Sequence, residues 1–227
     1  MSAEIRVAED PAAEVAELLT EAAVAGGHIV LTGGSSPQRA YELAAERDAD
    51  WSAATVWFTD ERCVEPSHPD SNFGMAERAL LMRLSAGPQV VRMEGELGED
   101  AGAGAYEAEI RARVGADPRW NLLLLGMGPD GHIASLFPGK PEIEERSRLA
   151  VGVPLAGMEP QVPRISLTLP ALCSARSAVL LITGEGKADT VARAFGPRSD
   201  RSLPASMVDL RYGALTVLLD QAAASKL

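Results

Sequence analysis

Several features that define other classes of protein are scarce in this sequence. It has two cysteines in 227 residues, Cys63 and Cys173, which cannot form a disulfide framework. No apolar run is long enough to span a membrane, and residues 1–6 lack the charged-then-apolar pattern of a signal peptide. We therefore expect a cytoplasmic protein that has no membrane partner.

Positive charge is also scarce. Lys and Arg together number 21 against 32 Asp and Glu, which gives a net charge of −11 and a pI of about 4.8. Because nucleic-acid binding needs a basic face, we expect no nucleic-acid partner. A site for an anion would have to gather its few cations locally, so Lys and Arg residues beside turn motifs are informative.

Strand-like and helix-like segments alternate along the chain. Four leucines at 122–125 form an uncharged run, which is typical of a strand covered on both faces of a parallel sheet. We predict an α/β fold: a single doubly wound, mostly parallel sheet flanked by helices (Rossmann-like), with an antiparallel edge allowed, as one domain over residues 1–227. Predicted strands cover 28–32, 55–58, 89–93, 122–125, 149–153, 164–170, 178–184 and 215–220; predicted helices cover about 11–25, 38–47, 73–84, 105–114 and 188–195.

Four polar corners follow predicted strands, at 33–37, 60–62, 130–132 and 185–187. Ligands of such sheets bind beyond the carboxyl ends of the strands, so these corners are the candidate site. Gly33, Gly34, Ser35 and Ser36 can form an anion cradle, with a serine as the N-cap and Pro37 at the first helical position. The alternative is a tight strand–helix turn. Arg39 in the first helical turn could serve a phosphate or face water.

The other cationic corners have alternatives too. Arg62 could clamp an anion, and Asp60 or Glu61 could hold Arg62 or contact a sugar hydroxyl, but a solvated charged loop is the simpler interpretation. Asn72 is a candidate ligand or, like Asp70 and Ser71, an N-cap. Lys187 opens a helix, which is unfavourable for a cation unless it serves an anion.

His132 is the candidate acid–base residue, and Asp130 either assists it or caps a following helix. The three histidines show no paired metal spacing, and no G-x-S-x-G motif is present. Gly126, Gly128 and Gly131 match G-x-G-x-x-G, but Pro138 and Pro141 stop the long helix that a dinucleotide site needs. General acid–base catalysis by His132 is what remains.

At this point the chain resembles the 6-phosphogluconolactonase family, within a superfamily that includes glucosamine-6-phosphate deaminase. The segments that carry the resemblance are 32–37, 59–62, 71–74, 126–132, 135–139, 164–168, 186–188 and 203–205. The resemblance implies hydrolysis of 6-phosphoglucono-δ-lactone to 6-phosphogluconate in the oxidative pentose phosphate pathway, with no metal or organic cofactor. The implied partner is a small sugar phosphate.

The resemblance also implies roles for individual residues. His132 would be the general base that activates water, and Asp130 would help to orient its loop. Ser35, Ser36, Arg62, Arg164 and Lys187 would hold the phosphate or stabilise the oxyanion. Gly33, Gly34, Asp60 and Asn72 complete the predicted substrate site.

Two other functions remain open from the sequence: an amino-sugar phosphate deaminase or isomerase, and a noncatalytic sugar-phosphate sensor. The deaminases need a carboxylate shortly after Asp-Gly-His, where this chain has Ser135, Leu136 and Phe137. Sensors of this kind often accompany a basic helix-turn-helix, and none is visible here. The sequence makes no prediction of oligomeric state.

Overall fold

The computed structural model describes residues 3–227, so Met1 and Ser2 of the predicted domain lie outside it. The strands are β1 (Glu4–Val7), β2 (Gly27–Leu31), β3 (Ala54–Phe58), β4 (Asp60–Arg62), β5 (Gln89–Val90), β6 (Leu122–Gly126), β7 (Ala150–Val153), β8 (Arg164–Leu167), β9 (Ser177–Ile182) and β10 (Ala214–Leu219). The helices are α1 (Pro11–Ala25), α2 (Ser35–Ala45), α3 (Asn72–Ala79), α4 (Glu99–Arg113), α5 (Leu169–Leu172) and α6 (Ala188–Phe195). None of these helices is both long and apolar enough to cross a membrane.

Seven parallel strands form the central sheet, in the order β1-β10-β9-β6-β2-β3-β5. The strand order runs outward in both directions from the β2–β6 pair, so the predicted doubly wound sheet is confirmed. The antiparallel strands do not extend this sheet at its edge. They form a second sheet of their own, in the order β4-β8-β7.

The four leucines of β6 show how the central sheet is covered. Leu122 and Leu124 pack into the apolar layer formed with α1, α2 and α3, while Leu123 and Leu125 pack into the layer formed with α4, α6 and the second sheet. Successive side chains of a strand point to opposite faces, and both faces are buried here. The prediction of a strand covered on both sides is therefore confirmed.

Several predicted boundaries are wrong. Helix α2 begins at Ser35 rather than near residue 38, and its N-cap is Gly34 (φ 110°) rather than a serine. Pro37 is consequently the third helical residue, where its missing N–H has no intrahelical partner to lose. Helix α4 begins at Glu99, six residues earlier than expected, and β1 was not predicted because its four residues are all exposed.

The segment 60–62 is not a solvated loop. It forms β4, which pairs with β8, and both Asp60 and Glu61 are buried. Three charged residues carry no apolar alternation, so the sequence alone favoured the loop.

Candidate active site

A cleft of about 210 Å³ opens at the carboxyl ends of β2, β3, β6 and β9. Its position beside the β2–β6 pair is the switch point where doubly wound sheets bind ligands. The structure brings together all the predicted site residues except Asp130, which contacts His132 instead. The predicted residues that line the cleft are Gly33, Gly34, Ser35, Ser36, Asp60, Arg62, Asn72, His132, Arg164 and Lys187.

His132 and Asp130 form a hydrogen-bonded pair. The distance from His132 Nδ1 to Asp130 Oδ1 is 2.6 Å, and the same carboxylate oxygen accepts the backbone N–H of His132 at 3.2 Å. Burial raises the pKa of Asp130, but its hydrogen bond to His132 and the histidine charge outweigh this and hold the pKa below its usual value. An ionised Asp130 assigns the ring proton to Nδ1, so Nε2 carries the free lone pair.

The loop of His132 depends on two glycines. A Cβ on Gly128 would lie 2.1 Å from His132 Cε1, and Gly131 has a φ of 87°. The backbone carbonyl of Gly131 accepts the N–H of Ala205 at 3.0 Å, which ties the loop to the segment 203–205. No α-helix follows directly, so the expectation that Asp130 caps one is wrong; the positive φ of Gly131 and Ala134 prevents a helix there.

The first turn of α2 supplies backbone donors to the cleft. The first intrahelical bond runs from Gln38 N–H to Gly34 C=O, so the N–H groups of Ser35 and Ser36 have no intrahelical acceptor. Such a helix start favours an anion. Arg39 takes no part, because it points away and pairs with Asp10 at 2.7 Å on the surface.

Arg62 and Arg164 are direct cross-strand partners in the β4–β8 pair. Like charges at opposite positions are unfavourable, so this pairing needs a compensating anion or other partners. Arg62 donates to Asp70 C=O at 2.5 Å, and Arg164 donates to Met158 C=O and Pro160 C=O at 3.2 Å each. The buried Nε atom of each arginine has no hydrogen-bond partner within residues 3–227.

The three cleft cations have no close carboxylate partner among the described residues. Within the described chain, Arg62, Arg164 and Lys187 form no ion pair, whereas many surface arginines do. Burial lowers the pKa of Arg164, and burial also lowers that of Lys187. A cleft with three uncompensated cations in an acidic protein is suited to a multiply charged anion.

Asp60 is held by hydroxyl groups rather than by Arg62. Its carboxylate accepts from Thr59 Oγ at 2.9 Å and from Ser135 Oγ at 2.7 Å, while its backbone carbonyl accepts from Asn72 Nδ2 at 3.0 Å. The side chain is 4% exposed and lines the cleft. Two hydroxyl groups therefore fix the orientation of the Asp60 carboxylate at the wall of the cleft.

Glu61 has a different environment. Its carboxylate accepts the N–H groups of Arg62, Asn72 and Phe73 at 2.7–2.8 Å and the hydroxyl of Ser71 at 2.9 Å. Burial raises the pKa of Glu61, and these four hydrogen bonds oppose that effect. Ser71 is the N-cap of α3, so Asn72 is left free to bridge Asp60 and the cleft. Glu61 is thus a structural carboxylate.

Some residues that line or support the cleft were not predicted from the sequence. Ser135 and Gly128 lie in segments that carry the family resemblance. Their roles become visible only in the structure, where Ser135 donates to Asp60 and Gly128 makes room for the His132 ring. Phe137 lies 4.6 Å from the His132 ring and 5.3 Å from the Arg164 guanidinium. No sequence pattern marks the contact between Phe137 and Arg164, because the two residues lie 27 positions apart and meet only in the folded structure.

Fold and cleft together define an α/β protein whose cleft, at the switch point of the sheet, gathers three cationic side chains and one histidine. A family model described as "Glucosamine-6-phosphate isomerases/6-phosphogluconolactonase" matches residues 3–217, and the chain belongs to that family. The resemblance noted from the sequence is thereby confirmed.

Individual relatives agree with this assignment. A 6-phosphogluconolactonase of Streptomyces coelicolor is 38% identical over 238 residues, covering 97% of this chain and 90% of the relative. One of Mycobacterium tuberculosis is 39% identical over 210 residues, covering 88% and 84%. The structure of a 6-phosphogluconolactonase from Trypanosoma cruzi superposes with a TM-score of 0.85 at 27% identity, covering 100% and 98%. A monomeric glucosamine-6-phosphate deaminase shares the fold (TM-score 0.85, 18% identity).

Proposed function

We propose that this protein hydrolyses 6-phosphoglucono-δ-lactone to 6-phosphogluconate, a step of the oxidative pentose phosphate pathway. One observation carries the proposal: His132, which is hydrogen-bonded to Asp130, lines the same small cleft as Arg62, Arg164 and Lys187, three cations with no ion-pair partner among the described residues. The names of the relatives support the substrate. A lactone is an activated ester, so one base and an anion-binding pocket suffice for its hydrolysis.

His132 acts as the base in this proposal. Its Nε2 removes a proton from water as the water oxygen attacks the lactone carbonyl carbon, and the imidazolium is stabilised by Asp130. When the tetrahedral intermediate collapses, the bond from that carbon to the ring oxygen breaks. The same Nε2 returns the proton to the leaving oxygen, which becomes a hydroxyl group. Water is consumed, and the carboxylic acid product ionises.

The substrate is held by the cationic side of the cleft. We assign the phosphate to the N–H groups of Ser35 and Ser36 together with Lys187 and the arginine pair. Arg62 and Arg164, with their free buried Nε donors, also stabilise negative charge that develops on the substrate. Asp60 and Asn72 are assigned to sugar hydroxyls, and Gly33 and Gly34 allow close approach of the ligand to the backbone.

The setting of the enzyme follows from the same features. We propose that residues 1–227 act as one domain, because both apolar layers pack on a single central sheet. We also propose a cytoplasmic location, which two free thiols at Cys63 and Cys173 favour. The partner that we propose is the small sugar phosphate alone, with no nucleic acid and no membrane.

The test compares three activities of the purified protein. We expect rapid hydrolysis of 6-phosphoglucono-δ-lactone, with kcat/KM at least about 100-fold above that for glucono-δ-lactone, because the cations bind the phosphate. No ammonia should be released from glucosamine 6-phosphate. Ammonia release would favour the deaminase function, and binding of 6-phosphogluconate without any turnover would favour a sensor; either result would contradict the proposal.

A further inference from the structure

Asp220 lies directly after β10, at the carboxyl edge of the central sheet, and does not line the cleft. Both of its carboxylate oxygens accept the backbone N–H of Gly184, at 3.0 and 3.1 Å. One of them also accepts the N–H of Ala223 at 2.7 Å. Because the half-buried carboxylate accepts the N–H groups of both Gly184 and Ala223, it restrains the backbone at these two positions.

The backbone that Asp220 contacts is the corner that carries Lys187. Gly184 has a φ of 94° and begins the 3-10 turn Glu185–Lys187, and its C=O accepts the N–H of Lys187 at 3.2 Å. The neighbouring Thr183 is hydrogen-bonded through its hydroxyl to Ser36 Oγ at 2.5 Å. The corner is therefore connected to Asp220 on one side and to the first turn of α2 on the other.

We propose that Asp220 is a positioning residue, which holds the corner 183–187 so that the ammonium group of Lys187 lies in the cleft beside the start of α2. The inference rests on the proposed function, since it assumes that Lys187 binds the phosphate. The proposal adds Asp220 to the site, although β10, the strand that it follows, contributes no residue to the lining of the cleft. Asp220 itself touches no substrate atom.

Asp220 also acts on the charge of Lys187. Burial lowers the pKa of Lys187, and the negative charge of Asp220 opposes this lowering. The other charged or titratable groups near Lys187 are Glu185 on its own turn, Asp189 on α6 and, lining the same cleft, Asp60, Arg62, His132 and Arg164. Without the charge of Asp220, Lys187 would lose its proton at a lower pH.

The test is Asp220→Asn, which keeps the shape of the side chain, loses the charge and turns one acceptor into a donor. We expect KM to rise about tenfold, the loss expected for one weakened charge-assisted contact, with a much smaller change in kcat. The affinity for 6-phosphogluconate, measured by calorimetry from pH 7 to 10, should decline at a lower pH than in the wild type. The Asp220→Glu variant should recover most of that pH dependence.

The matched control is Asp189→Asn. Asp189 is exposed and pairs with Lys226, so this variant removes the same charge two residues from Lys187 and breaks a contact between α6 and the C-terminal turn. It should bind like the wild type. The positioning role would be overturned if both variants had equal effects. It would also be overturned if Asp220→Asn lost kcat and Tm together while the pH profile of binding stayed unshifted.

Inorganic phosphate separates this proposal from the one that it rests on. If Lys187→Ala binds phosphate normally, the phosphate role of Lys187 fails and the positioning role fails with it. If Lys187→Ala binds weakly but both Asp220 variants bind normally, only the positioning role is overturned. Weak binding by Lys187→Ala and Asp220→Asn, with recovery in Asp220→Glu, is the expected result.

Discussion

The orientation of His132 depends on a residue that has no side chain. Gly128 lies where any Cβ would overlap the imidazole, at 2.1 Å from Cε1 and 2.2 Å from Nδ1, and would also approach Asp130 Oδ1 at 2.8 Å. A Cβ at this position would therefore require the imidazole and the Asp130 carboxylate to shift from their present hydrogen-bonded positions. That hydrogen bond keeps the ring proton on Nδ1 and leaves Nε2 as the nitrogen that can accept a proton.

Replacing Gly128 with alanine tests this dependence. We expect Gly128→Ala to lower kcat at least about tenfold, because the ring must leave its position on Asp130 and a misplaced base transfers protons poorly. The measurement is kcat for the lactone together with Tm. The control is Gly104→Ala on α4, away from the cleft, where a Cβ also meets nothing within 4 Å. Full activity in Gly128→Ala would show that the imidazole position is not critical.

At the level of secondary-structure elements, the second sheet is what brings the arginines together. β4 and β8 pair antiparallel with Arg62 opposite Arg164, and Arg164 is 2% exposed. Two adjacent guanidinium groups repel each other and cost free energy in the empty cleft. In the proposed function the phosphate binds beside this pair and offsets the repulsion, so the pair would favour the ligand-bound state.

The arginine pair predicts a kinetic signature. We expect Arg62→Ala and Lys187→Ala each to raise KM by about 10- to 100-fold with a smaller effect on kcat, since each removes a charge-assisted contact with the phosphate. Inorganic phosphate should raise the Tm of the wild type more than that of either variant. Arg119→Ala, on the surface, is the control. An unchanged KM in both cleft variants would place the anion site elsewhere.

Some of these elements could be predicted from the sequence and others could not. The β6 leucines and α1, predicted at about 11–25, carry strong local signals, so both were predicted correctly. The second sheet was not, because the three charged residues of β4 become a strand only through pairing with β8, about 100 residues away.

The same distinction applies to the site. Ser36, His132 and Lys187 follow recognisable strand ends, which the parallel topology places at one edge. The burial of Glu61 beneath α3 and the hydrogen bond from the Gly184 N–H to Asp220 depend on tertiary contacts alone. Residue type and spacing carry no information about such contacts, and the structure was needed to find them.

At the scale of the whole molecule, the fold concentrates scarce positive charge. The protein has a net charge of −11, yet the cleft at the switch point holds three cations that form no ion pair with any described carboxylate. The electric field of the net negative charge opposes the approach of an anionic ligand, so binding depends on the short-range attraction of the three cleft cations. We propose that this one cleft both binds the phosphate and activates water through His132.

The most direct test is the hydrolysis rate of freshly generated 6-phosphoglucono-δ-lactone, at slightly acidic pH where spontaneous hydrolysis is slower, for the wild type and His132→Ala. We predict a fall in kcat of about 10²- to 10⁴-fold, the usual contribution of a general base, with KM and Tm nearly unchanged. His28→Ala, at the opposite edge of the sheet, should keep the wild-type kcat. Near-normal turnover by His132→Ala would contradict the account.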